Sequence, residues 1–287
     1  MVNRFITRFR ETPNNKLIYR GVVTFILLVI LIIELARFLS LPKVDATTLY
    51  LREQPNDESK VVETIPHGRH LSIIKSKNNW WYTKYNGQKG WVPSWLVGVD
   101  DYDVKTGDKL AQKTIIIDPG HGGGDSGTLS ANQKYMEKTY TLQTAKKVAA
   151  ELRKRHVNVV MTRTDDTYVT LKKRTDMASD YHADLFVSFH FNSDNGYGRA
   201  NGYGIYNYHK NAVKVADQVA DGLDNLPVSN RGVSFGDYYV LRENKRPAIL
   251  CEMGFMDSSH DLPYIQSSTY QEHVAKDVAK SLDKYFN

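Results

Sequence analysis

Cys251 is the sole cysteine in this 287-residue sequence, which excludes an intramolecular disulfide framework and any zinc ribbon built from paired cysteines. A core of sufficient size needs no covalent staples, so the shortage leaves the compartment undecided. Uncompensated charge is scarce over most of the chain as well. The net charge is +6, but Arg4, Arg8, Arg10, Lys16 and Arg20 against Glu11 place +4 within the first 20 residues and leave +2 for the rest. A nucleic-acid binder concentrates basic side chains on its folded domain, so this distribution argues against a nucleic-acid partner. No internal repeat is present. What is abundant is apolar and aromatic: 41% hydrophobic residues, with 18 Tyr and 10 Phe, a globular composition whose length suits two folded units plus extras.

Long hydrophobic runs are also few. The uncharged stretch over residues 21–33, GVVTFILLVILII, is extended by Leu17, Ile18, Leu35, Ala36, Phe38 and Leu39 towards the ~20 residues that span hydrocarbon. Glu34 and Arg37 interrupt its far end, where they can snorkel to the interface. A cleaved signal peptide is the rival reading, yet no small-x-small site follows and Leu41-Pro42-Lys43 is a poor one. The basic residues ahead of the span leave the N-terminus in the cytoplasm and everything after residue 40 outside. The expectation is a basic cytoplasmic tail over 1–16 and a single-pass transmembrane helix over 17–40 in the cell membrane. Such a span also offers a surface to a membrane-protein partner, whose identity no residue discloses.

Residues 48–98 hold short apolar runs separated by turn signals, TLYLRE, VVETI, HLSIIKS, WWYTKY and WVPSWLV, which read as small strands. Asn86-Gly87 between the last two is a tight-hairpin dipeptide, because both residues tolerate positive φ. Over 41–98 the pattern resembles bacterial SH3-like domains, an all-β barrel. That resemblance implies a module binding wall peptides, with Trp80, Trp81, Tyr82, Trp91 and Trp95 as candidate contacts; filling a tiny core is the other use for each. Residues 99–112 are polar and aperiodic, a linker.

From residue 113 to 287 strand-like and helix-like runs alternate: KTIIID, EKTYTLQTAKKVAAELRKR, VNVVMT, LKKRTDMASDY, ADLFVSFH, GYGIYNY, AVKVADQVADGLDNL, AILCEMG and a closing amphipathic segment. This is an α/β pattern, a mostly parallel sheet flanked by helices. His121 in DPGHGGGDSG follows the first strand, Glu137 opens the first helix, His190 ends DLFVSFH and Glu252 ends AILCE. All four fall at the carboxyl edge of the sheet, where active sites of open α/β folds gather. Two imidazoles and a carboxylate with an open fourth position make a hydrolytic zinc set, and the remaining glutamate supplies a base. Taken singly, each has an ordinary structural reading; Glu137, for instance, suits a helix start through the dipole alone. The glycine-rich loop lacks the GK[ST] ending of a phosphate loop and the GxGxxG spacing of a dinucleotide site. Cys251 lies in an apolar strand with alternation turning it away from Glu252, which makes it a buried, inert thiol.

Jointly, DPGHGGGDSG, MEKTYTL, TRTDDTYVTLKKRTDMA, ADLFVSFHFNS and RPAILCEMGF resemble, in order and spacing, the zinc-dependent N-acetylmuramoyl-L-alanine amidases. The resemblance implies that His121, Glu137 and His190 bind one Zn2+ and that Glu252 is catalytic, with peptidoglycan as substrate. With the helix and SH3-like domain in front, the chain is similar to LytH-type membrane-anchored amidases of Gram-positive cocci. Asp118 and Asp125 are candidates for orienting the ligands, or for shaping tight turns. Phe189 and Phe191 stand where the family has smaller residues, which predicts a narrower, more aromatic groove beside the metal. Two alternatives keep the fold: a catalytically inactive wall-binding or regulatory protein, and a zinc hydrolase cutting another peptidoglycan bond. The tether limits reach to wall near the membrane, favouring nascent material.

Overall fold

The computed structural model describes residues 13–44, 46, 48–56, 59–98 and 109–287. The expected basic tail up to residue 12 and the linker over 99–108 lie outside the described residues. Helix α1 (Pro13–Leu39) contains Ile18–Leu39, with a mean hydropathy of 2.7 and no burial against the rest of the chain. Its 22 residues rise about 33 Å, enough to cross hydrocarbon. Glu34 and Arg37 pair at 3.1 Å across one turn near its end.

Strands β1 (Thr48–Arg52), β2 (Val61–Pro66), β3 (Ile73–Lys77), β4 (Trp80–Tyr85) and β5 (Gln88–Pro93) form a sheet in the order β2-β1-β5-β4-β3. Leu49, Leu51 and Val92 face a small core, so alternation turns their neighbours outward. Asn86 (φ 46°) and Gly87 (φ 83°) make the expected hairpin turn. The barrel begins where α1 ends: the Phe38 ring lies 4.8 Å from that of His70, whose Nδ1 is 2.9 Å from the Leu41 carbonyl oxygen.

At the junction with the second unit, Leu110 is buried in the larger core and Ala111 in the barrel core. Trp95 Nε1 donates to the Ala111 carbonyl at 2.8 Å, and Asn79 Nδ2 to Asn158 Oδ1 at 3.1 Å.

The second unit alternates β6 (Thr114–Pro119), α2 (Glu137–Arg153), β7 (Asn158–Met161), α3 (Leu171–Asp180), β8 (Leu185–Asn192), β9 (Tyr203–Asn207), α4 (Val213–Gly222), β10 (Asn230–Phe235), α5 (Tyr239–Arg242), β11 (Ala248–Phe255), α6 (Leu262–Ile265) and α7 (Ser268–Phe286). Its sheet runs β10-β9-β11-β8-β6-β7. Strands β7, β6, β8 and β11 are parallel; β9 pairs antiparallel with β11, and β10 follows β9. Mostly parallel α/β is therefore right, while β10, α5 and α6 were not anticipated.

Alternation divides the central strands between two layers. Ile115, Ile117, Leu185, Val187, Phe189, Phe191, Ile249 and Cys251 pack with α2, α4 and α7, whereas Ile116, Phe186 and Leu250 pack with α3 and α5. The first layer holds long helices and most of the core; the second is thin. His190 and Glu252, in phase with Phe186 and Leu250, emerge on the thin side. Phe189 and Phe191 point the other way, into the main core, which corrects the expected aromatic narrowing of the groove: Phe189 does not reach it, and Phe191 gives only part of its wall. Phe186→Ala empties a fully buried site and is expected to cost about 3–5 kcal/mol, read as a lower midpoint in urea denaturation.

Candidate metal centre

Strand β6 ends at Asp118-Pro119 and delivers His121 on a loop with φ of 61°, a left-handed conformation that costs energy outside glycine. Two buried arginines hold that loop. Arg174 on α3 donates from Nη1 to Asp118 Oδ1 (2.6 Å) and the Pro119 carbonyl (2.8 Å), and from Nη2 to the His121 carbonyl (2.8 Å). Arg163 donates to the carbonyls of Pro119 (3.0 Å), Gly120 (2.8 Å) and Lys138 (2.9 Å). Asp118 also accepts from Thr162 and Ser188 hydroxyls. Its contacts are with the loop's support rather than with a ligand imidazole. Close approach explains two glycines: a Cβ on Gly120 would stand 2.2 Å from the His190 ring, and one on Gly127 (φ 65°) 2.5 Å from Glu137 Oε2.

Glu137, first residue of α2, is buried. Its Oε2 lies 3.1 Å from His121 Nε2 and accepts from the Thr128 amide at 2.8 Å; its Oε1 lies 2.9 Å from His190 Nδ1 and accepts from the Phe191 amide at 3.0 Å. One ligand atom from each of His121, Glu137 and His190 lies within 4.8 Å of the others. His121 turns its other nitrogen, Nδ1, to Asp125 Oδ2 at 2.9 Å. Burial opposes the Glu137 charge, yet the two imidazoles outweigh it and hold the carboxyl down to about 2. Burial likewise pulls against protonated His121, but the Glu137 and Asp125 carboxylates prevail and its pKa is raised. The raised His121 pKa reports the negative charge of Glu137 and Asp125 around the ring, which favours a cation there.

Glu252 is the register partner of His190 across β11 and β8, so the two side chains leave the sheet on the same face. It is buried, and Oε2 has no hydrogen-bond partner among the described residues. Burial first, and then the Glu137 charge, push its pKa well above the carboxylate range. An unsatisfied buried oxygen beside two imidazoles and a carboxylate fits a metal site with water. A cavity of about 540 Å³ opens over these groups, walled by Tyr168, Leu171, Tyr238 and Tyr239 as well as by the site residues. Cys251 is fully buried, and burial raises its thiol pKa, as expected of an inert cysteine.

Residues 115–284 match the N-acetylmuramoyl-L-alanine amidase family, and residues 47–98 the bacterial SH3 domain family. The chain belongs to the N-acetylmuramoyl-L-alanine amidase family. It is 36% identical over 244 residues to the probable cell wall amidase LytH of Staphylococcus aureus, covering 83% of this chain and 81% of that protein. Among solved structures, an N-acetylmuramoyl-L-alanine amidase from Clostridium difficile 630 is similar at 36% identity and a TM-score of 0.59, over 60% of this chain and 96% of that one. The catalytic domain of CwlV from Bacillus (Paenibacillus) polymyxa var. colistinus is similar at 32% and 0.58, over 60% and 97%.

The amidase domain thus brings together all four residues singled out from the sequence. Asp125 contacts His121 directly, whereas Asp118 reaches it one step removed, through Arg174. Arg163, Arg174 and the tyrosine rim were missed. Both arginines lie inside a motif noted for its resemblance, but Lys172 and Lys173 beside Arg174 mask which cation turns inward, and nothing adjacent to Arg163 marks it as buried. Arg174→Met leaves Asp118 buried without its partner and should cost about 3–5 kcal/mol in urea denaturation, with Asp118→Asn in the same chain recovering part of the loss.

Proposed function

We propose that this chain is a membrane-tethered N-acetylmuramoyl-L-alanine amidase, acting outside the cell on the amide between the muramic acid lactyl group and L-alanine of the peptidoglycan stem peptide. One zinc would be held by His121, Glu137 and His190, with Glu252 as the base. The domain plan is a basic tail over 1–16, a transmembrane helix over 17–40, an SH3-like domain over 41–98, a linker over 99–112 and the catalytic domain over 113–287. The observation that carries the reading is the convergence of three donor side chains within 4.8 Å in the cavity that Glu252 also lines, its Oε2 without a hydrogen-bond partner among the described residues.

When bound, zinc makes water acidic near neutral pH and polarises the scissile carbonyl. Glu252 takes the proton from the attacking water and returns it to the departing amine of L-alanine. A single carboxyl at this position can serve both halves of that cycle, as base towards water and as acid towards the amine. Asp125 accepts from His121 Nδ1, which fixes the ring and leaves Nε2 for the metal. The cavity walls exclude bulk water and position the sugar and peptide on either side of the amide.

Glu252→Ala and chelation of the metal should each abolish release of stem peptides from defined muropeptides, followed by mass spectrometry; full release by the variant would remove the mechanism. Asp125→Ala is expected to weaken zinc binding by about 10- to 100-fold, measured by competition with a chromogenic chelator.

Stability offers a separate check. The folded-state pKa of Glu252 lies above its ordinary value of 4.5, so folding disfavours the ionised form and metal-free protein loses stability as pH rises past that ordinary value. Glu252→Gln avoids this loss. Its metal-free Tm should exceed that of the parent at pH 8, with the gap closing towards pH 4.

A further inference from the structure

Strands β1, β3, β4 and β5 of the SH3-like sheet carry Arg52, Lys75, Lys77, Lys84 and Lys89 and not one acidic residue. Their register gathers these cations on one face. Lys75 pairs with Tyr82, Tyr82 with Trp91, and Trp91 with Arg52, a row across four strands. Lys77 and Lys84 lie two residues along from Lys75 and Tyr82 and so share that face. Lys84 and Lys89 stand directly opposite one another. Like charges so placed disfavour the sheet, so they are an expense to folding that calls for a purpose. The opposite face is the barrel core, formed by Leu49, Leu51 and Val92.

The aromatics on this face hold its charge. Trp91 is largely buried, and the Lys75 ammonium lies over its ring and that of Tyr82, at 5.3 and 4.7 Å from the centroids. A covered indole offers no platform for stacking a sugar; what it presents is the cation above it. Lys75, Lys77, Lys84 and Lys89 are exposed, and among the described residues no carboxylate forms a salt bridge with them.

The chain brings a specific surface to this face. The barrel starts against the last turn of α1, through Phe38, Leu41 and His70. The Asn78-Asn79 turn at one end of the sheet touches the catalytic unit, and Lys84 and Lys89 flank the Asn86-Gly87 turn at the other. The carboxyl edge that holds the metal centre is remote from that junction, since Asn158 and Ala111 stand at or before the amino ends of their strands. We propose that the lysine face docks on the phospholipid headgroups of the anionic membrane in which α1 is anchored, turning the catalytic cavity towards the wall. The inference rests on the membrane-tethered reading of α1. A soluble phosphodiester polymer shares the charge, but the bilayer is the polyanion that the tether brings next to the barrel. Each lysine at an anionic surface strengthens association by roughly fivefold.

The test uses the full chain reconstituted in phosphatidylcholine vesicles, with or without an equal share of phosphatidylglycerol. Amine labelling read by mass spectrometry should fall about threefold or more at Lys75, Lys77, Lys84 and Lys89 in the anionic vesicles and recover in high salt. Lys210 and Lys245 on the catalytic unit should label equally in both. Incorporation into both vesicles with identical labelling of the four lysines overturns the inference and leaves the anchor standing. Protection by soluble polyphosphate but not by phosphatidylglycerol overturns the lipid as occupant. A chain recovered outside both preparations removes the anchor and this inference with it.

Discussion

The Glu137 carboxylate joins segments of chain that are far apart in sequence. Its two oxygens meet an imidazole and a backbone amide each: His121 and Thr128 on one side, His190 and Phe191 on the other. A buried carboxylate without such partners would be expelled or neutralised. The glycine-rich loop, the start of α2 and the end of β8 must therefore all be in place before any one of them is comfortable. The convergence of His121, Glu137 and His190, a set that could hold a metal ion, is the visible result of that mutual dependence, and the two imidazoles hold the Glu137 carboxyl low.

Beneath it lies a second polar stratum, built from Asp118, Arg163 and Arg174. Arginine suits this place because a planar fork of donors can serve a carboxylate and several carbonyls at once, whereas a lysine would offer one compact charge. The carbonyls that the two arginines satisfy belong to Pro119, Gly120 and His121, where the backbone leaves the edge of β6. Catalytic geometry is thereby referred back to the rigid ends of β6 and α3.

Much of this was readable beforehand. Runs such as KTIIID and ADLFVSFH are too apolar and too short to be anything but buried strands, and the four chemical residues stand where those runs stop. The hairpin at Asn86-Gly87 was legible for a local steric reason. Other features depend on tertiary partners. NRGVSF shows no alternation because β10 is an edge strand paired on one side only, with four of its six residues exposed. In LKKRTDMASD three consecutive cations precede the threonine, and only helix phase against the packed sheet shows that Arg174 is the buried one. Phe189 misled because a residue next to His190 in sequence turns to the opposite side of the sheet in space, while Phe191, also buried, still gives the groove part of its wall. Trp80 and Trp91 proved buried, while Trp81, Tyr82 and Trp95 remain partly exposed.

Leu110 and Ala111 are adjacent in sequence yet belong to the interiors of different modules. A swivel at this point would have to draw an apolar side chain into water on each side and break the Trp95 hydrogen bond to the backbone between them. Bending between barrel and catalytic unit at this point therefore exposes part of both cores at once, so the two interiors restrain each other through a single peptide unit.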